Sequence, residues 1–227
     1  GALFFGAGGE QVVAAMRALA RLNTLPGMVR GTASNSVYAL LDEPLVGEMI
    51  EQIPAKTLEK TGVVCQEAEQ TLRASIASSR DPLSIEEMIY STRMMAYAAR
   101  KLLASQKIRA DLADLSRGRG DADAILRQAI DTFRALDIEL LEHSQVFRDL
   151  WLQRGPHAEI GITWGYFEQL KKRFDAAQSW LGDRLHQVES GETPSYDLSS
   201  YKDDAKGYEI LGQAYRRRMR EAGAFSD

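Results

Sequence analysis

The chain has 227 residues, 44% hydrophobic and 26% charged, with a formal net charge of -4. That is an ordinary balance for one large or two small globular domains. It argues against a basic nucleic-acid surface, and no run of about 18 apolar residues is present to span a membrane.

The start, Gly1-Ala2-Leu3-Phe4-Phe5, has no basic region and too short an apolar run for a signal peptide. It also lacks an initiator Met, as expected of a cut piece or a processed form. Leu3–Phe5 reads as a short buried strand, broken by Gly6-Ala7-Gly8-Gly9. A helix is expected from Glu10 to Arg21, with Val13, Met16 and Ala20 on one face. Leu25-Pro26-Gly27 is a turn signal. Ser36–Leu41 reads as a second short strand or an extended loop. Residues 1–53 thus form an irregular segment.

From Pro54 onward long amphipathic helices are expected. Pro54 suits a first helical turn, where its missing N–H costs nothing. Leu58, Cys65, Leu72 and Ile76 then recur on one face until Asp81-Pro82. Ser84 and Glu87 have capping-box spacing. The next helix carries Met88, Met95 and Leu102, and ends at Gly118-Arg119-Gly120. Asp121 caps a third, with Leu126, Ile130, Phe133, Leu140 and Phe147 as its stripe, up to Gly155-Pro156. The fourth carries Phe167, Leu170, Phe174, Leu181, Leu185 and Val188. A loop over 190–204 and a polar helix over 205–220 close the chain. The fold class is therefore mainly α: an antiparallel bundle of about four long helices, with a short irregular N-terminal segment and a C-terminal helix.

Residues that carry chemistry are few. Gly6-Ala7-Gly8 opens a dinucleotide fingerprint, but Gln11 stands where its third glycine belongs, so a strand-to-helix turn is the better reading. Asp42-Glu43 has the look of a glycosidase acid/base pair. A barrel of eight strand–helix units needs about 250 residues, however. A loop pair or helix N-terminus is preferred, with Asp42 capping and Pro44 in the first turn. Glu139, Glu142 and His143 lack the repeated Glu-x-x-His of a di-iron bundle, so they read as a solvated face. Arg216-Arg217-Arg218 with Arg220 reads as a solvated helix end. Met88, Met94 and Met95 read as core filling. No metal site and no cofactor is expected. Cys65 is the only cysteine, which excludes an internal disulfide and suits a reducing, cytoplasmic setting.

Three stretches, in order, resemble the end of the catalytic barrel and the helical C-terminal domain of family-20 glycoside hydrolases, the exo-β-N-acetylhexosaminidases. Leu3-Phe4-Phe5-Gly6-Ala7-Gly8-Gly9-Glu10 resembles the last barrel strand. Ser34-Asn35-Ser36-Val37-Tyr38-Ala39-Leu40-Leu41-Asp42-Glu43-Pro44-Leu45-Val46-Gly47 resembles an Asn-Pro-Ser…Tyr…Asp-Pro-Leu-Leu-Gly segment leading into the helices. Phe147-Arg148-Asp149-Leu150-Trp151, with the following loop and Gly165-Tyr166-Phe167, resembles a Tyr-Arg-x-Leu-Trp helix end and its successor.

The resemblance implies that residues 1–53 belong to the end of a barrel domain and 54–227 to a helical C-terminal domain. It places Phe4 or Phe5 where the family's sugar-stacking tryptophan stands, and lets Glu10 replace a later sugar-binding acid. Gly6 and Ala7 do not match the acid expected there. The family's catalytic Asp-Glu pair lies on an earlier strand and has no counterpart here, so no catalytic residue is assigned. Trp151 and Trp164 would lock the third helix to the fourth. Trp151→Ala would cost about 3–5 kcal/mol if that ring is core. The implied partners are the protein's own upstream barrel and a second copy in a homodimer. The alternative is a stand-alone helical bundle that binds a partner or small molecule between its helices.

Overall fold

The computed structural model describes residues 2–30, 33–155 and 157–201. The polar helix expected over 205–220, with its arginine run, lies outside the described residues.

Four long helices dominate: α5 (Ala55–Ser75), α6 (Pro82–Ser116), α7 (Ala122–Arg154) and α8 (His157–Glu189). The protein is mainly α, as its periodicities require. Before them come α1 (Ala2–Phe5), α2 (Gly9–Arg21), α3 (Asn35–Leu41) and α4 (Met49–Gln52). A two-residue antiparallel pair, β1 (Val29–Arg30) and β2 (Ala33–Ser34), places Val29 opposite Ser34.

Leu3–Phe5, expected as a strand, and Ser36–Leu41, expected as a strand or an extended loop, are both helical. Leu3–Phe5 lies within α1, and Phe4 is 72% exposed. A three-residue apolar run has no period of its own, so neighbours decide its state. Gly6, at φ 72°, turns the chain, and Gly8 packs against Ser75 and Ser78 at the end of α5. Ser36–Leu41 lies within α3, with Ala39 and Leu41 buried. Its entry is fixed by buried Asn35, whose side-chain amide donates to the Gly27 carbonyl at 2.6 Å.

The caps follow local chemistry. Pro54 is the extended residue just before α5, and its carbonyl accepts from Thr57 and Leu58 N–H. Pro82 takes the first position of α6, so the cap falls on Asp81 rather than on Ser84. The Asp81 carboxylate accepts from Ser84 N–H at 3.1 Å, while Glu87 turns outward to Arg154. Asp121 caps α7 through Ala124 N–H.

Cross-helix ion pairs record the antiparallel register. Arg93 of α6 meets Glu69 of α5, Arg154 at the end of α7 meets Glu87 near the start of α6, and Arg127 near the start of α7 meets Glu189 at the end of α8. Exposed pairs of this kind contribute only about 0–1 kcal/mol each, so they mark register more than they stabilise it. Helix α6, 35 residues and about 52 Å long, is the central element. It packs on α5 and α7, and on α3 and α4. A helix enclosed on several sides needs apolar residues around its girth, which blurs any single stripe.

The N-terminal elements share a core with the long helices. Leu22, Met28, Ala39, Met49, Ile50 and Ile53 pack with Leu58, Cys65 and Leu102. Burial pushes the Cys65 thiol up to about 11, so it serves as a packing residue. A second core joins Leu126, Phe133 and Leu140 of α7 to Leu170, Phe174 and Leu181 of α8. Each such buried side chain contributes about 1.5–3 kcal/mol. Among the described residues no helix is long and apolar enough to cross a membrane.

Candidate functional site

The residues singled out by the sequence do not converge. Phe4 is exposed on α1, Phe5 is half-buried against the Val12, Leu72 and Ile85 cluster, and Glu10 is exposed in the first turn of α2. None of the three lines a cavity described below. Trp151 and Trp164 are both half-buried, so Trp151 is not a full core residue. They join through two phenylalanines: Trp151 packs on Phe147 at 5.6 Å between centroids, Phe147 on Phe167 at 5.7 Å, and Phe167 on Trp164 at 6.4 Å. Phe147 also meets Tyr90 of α6 at 6.1 Å. The ring ladder therefore spans three helices, with Phe147 at its hub.

Asp42 and Glu43 are turned inward, at 1% and 0% exposure. Each carboxylate accepts from backbone. Asp42 Oδ2 takes Met49 N–H at 2.7 Å, at the start of α4, and Glu43 Oε2 takes Leu45 and Val46 N–H at 2.5 Å. Three residues from distant helices and loops close over this turn. Lys101 of α6 donates to the Leu40 and Asp42 carbonyls, Arg173 of α8 donates to the Leu41 carbonyl at 2.8 Å, and the Tyr201 hydroxyl donates to Glu43 Oε1. Burial lowers the Lys101 pKa to about 8, against the pull of Asp42 and Glu43. Gly47 completes the turn, since a Cβ there would overlap the Asp42 carboxylate and the Glu43 carbonyl. Carboxylates buried and bonded to backbone N–H groups in this way hold a turn, and neither is placed to exchange protons with a substrate.

Lys101, Arg173 and Tyr201 were not among the residues chosen from sequence. Lys101 carries a legible signal: it interrupts the seven-residue stripe Met94, Lys101, Ile108, Leu115, all buried. Arg173 adjoins the buried Leu170–Phe174 stripe in the same way. Nothing local marks Tyr201.

Two clefts flank α6. One is polar, about 370 Å³, lined by Glu69, Arg93, Arg100, Glu139, Glu142 and His143. Arg93 is held by Glu69, and Arg100 by Glu139. His143 is buried against the Tyr97 ring and sits 3.3 Å from Glu139. Burial raises the Glu139 pKa, but its bonds to His143 and Arg100 outweigh that and hold it below the usual value. Glu139 is thus spent on contacts with Arg100 and His143. Among the described residues no His, Cys, Asp and Glu cluster is fit for a metal ion.

The other cleft is apolar, about 550 Å³, and opens between α2, α3, α6, α7 and α8. Leu19, Leu40, Tyr90, Met95, Phe147 and Phe167 form its walls.

Comparison with known protein families, with curated proteins and with solved structures finds no match to this chain.

Proposed function

We propose that the chain is the noncatalytic, helical C-terminal portion of a family-20-like β-N-acetylhexosaminidase. In this reading residues 1–53 end a barrel domain and 54–227 brace it. The observation that carries it is the turn Asp42–Gly47. It lies in the second of the three stretches that resemble the family. Its buried carboxylates accept from the turn's own backbone and from the start of α4, and its backbone carbonyls accept from Lys101 of α6 and Arg173 of α8. A junction of that kind is what a brace between an end segment and a helical domain needs. The exposed pair Ile138 and Leu141 on α7 supplies an apolar strip for a homodimer contact.

Hydrolysis of a chromogenic β-N-acetylglucosaminide tests the proposal. The isolated chain is expected to be inactive. The product of a reading frame that continues upstream of residue 1 is expected to be active, and to lose activity or solubility when residues 54–227 are removed. An inactive full product overturns the reading. The apolar cleft favours a second reading, a helical binding module whose ligand lies between its helices.

A further inference from the structure

We propose that the cleft between α2, α3, α6, α7 and α8 is a binding site for one small, uncharged, mostly apolar molecule with a single hydrogen-bonding end. The cleft's own geometry carries this assignment, which holds whether or not a catalytic barrel precedes the chain.

Size comes first. A volume of about 550 Å³ lies within the range of small-molecule pockets, about 300–1,000 Å³. Five helices supply the walls, so the shape is set by the packed core rather than by loops. One wall is the ring ladder, with Tyr90, Phe147 and Phe167 at 6.1 and 5.7 Å from ring to ring. Met94 and Met95 face the same space with polarizable thioethers. Rings and thioethers together suit an aromatic or alicyclic body.

Charge selects further. Among the described residues no charged side chain lines this cleft, whereas the polar cleft is lined by six ionisable residues. An ionised carboxylate, phosphate or ammonium would lose its hydration here and gain no counter-charge. Burial also pushes the Tyr90 phenol well up, so it stays neutral. Neutral polar side chains are few: Asn23, Ser36, Ser91 and Thr163. The Ser91 hydroxyl already donates to the Glu87 carbonyl at 2.9 Å. A sugar ring would bury several hydroxyls without partners, each at the cost of its lost hydration. An alcohol, ketone, ester or neutral amide on an apolar body fits best. Exposed Val37, 52% accessible, stands at the mouth.

The test uses the 227-residue chain and the neutral fluorophore N-phenyl-1-naphthylamine. Saturable binding at one site per chain is expected. Ala20→Trp on α2 and Ser91→Trp on α6 fill the cleft from exposed positions, so folding should persist, with circular-dichroism melts as the check. Each should weaken binding by about tenfold or more. Val63→Trp, on exposed surface of α5 and outside the cleft, should leave it unchanged. The sulfonated analogue 1-anilinonaphthalene-8-sulfonate should bind at least about tenfold more weakly than the neutral probe. Non-saturable uptake, equal binding by the filled variants, or equal binding of the anionic probe overturns the proposal. So does a dimer by sedimentation velocity that excludes the probe, since a second copy would then be the occupant.

Discussion

The Tyr201 hydroxyl donates to the Glu43 carboxylate across 158 positions of sequence, with both side chains buried. This contact ties the loop after α8 to the turn between α3 and α4. The loop is held from the other side as well. The Tyr201 ring meets Trp180 edge-on at 6.0 Å, and Ser200 accepts from Trp180 Nε1 and from Arg184. Tyr201→Phe keeps the ring and removes a bond to a charged group, so it should cost about 1.5–3 kcal/mol in urea melts. Glu43→Ala leaves Lys101 and Arg173 beside a lost charge and should cost about 3–5 kcal/mol. Equal stability of both variants to the parent would show that the contact does not form in solution.

Two glycines should respond in opposite directions to alanine. At Gly47 a methyl group meets the Asp42 carboxylate and the Glu43 backbone, neither free to move. Gly47→Ala should destabilise by about 1–3 kcal/mol. Gly62 sits within α5 with open space where a methyl would go. Gly62→Ala should therefore stabilise by about 0.5–1 kcal/mol through helix propensity. Thermal melts of the two variants side by side check both signs.

Phe147, not Trp151, is the hub of the ring corner. It touches Tyr90, Trp151 and Phe167, on three helices. Phe147→Ala should cost about 3 kcal/mol, the low end for a buried phenylalanine because the ring is half-buried. Trp151→Ala should cost less, about 1.5–2 kcal/mol, below what a full core tryptophan would lose. The reverse order in denaturant melts would contradict this assignment.

Lys101 should make stability rise with pH in the alkaline range. Its folded pKa is lowered from 10.5 to about 8 by burial. Between those values the unfolded chain binds the proton that the folded chain has released. Stability from this residue therefore increases from about pH 8 to 10.5. Asp42 and Glu43 oppose the shift and keep the ammonium protonated at neutral pH, where it serves the two carbonyls. The stability difference between the parent chain and Lys101→Met should grow in the parent's favour across that window. A difference that is flat or falls with pH would contradict the assignment.

The long helices were legible because each carries its own punctuation. Asp81-Pro82, Gly118 and Gly120, Asp121 and Gly155 all stop or start an element in the structure. The short elements were not. Leu3–Phe5 and Ser36–Leu41 are too brief for a period to declare itself; both are helical, with Phe5 packed on the Val12, Leu72 and Ile85 cluster and α3 packed on α6. The polar junction was half legible. Asp42 and Glu43 stood out as a pair, and the preference for a structural role agrees with their burial, although Asp42 serves Met49 N–H rather than an immediately following turn. Lys101 and Arg173 stand in or beside apolar stripes, whereas Tyr201 reaches the same turn only through tertiary folding, which no spacing records. The apolar cleft is assembled from five helices and has no signature in any one of them.

Reading the coding DNA upstream of residue 1 tests the central claim most directly. The accessory-portion account predicts an open frame with several strand–helix units and an Asp-Glu pair at a strand end. A stop codon followed by a start site immediately before Gly1 would contradict it, and would leave the helical binding module as the reading of this fold.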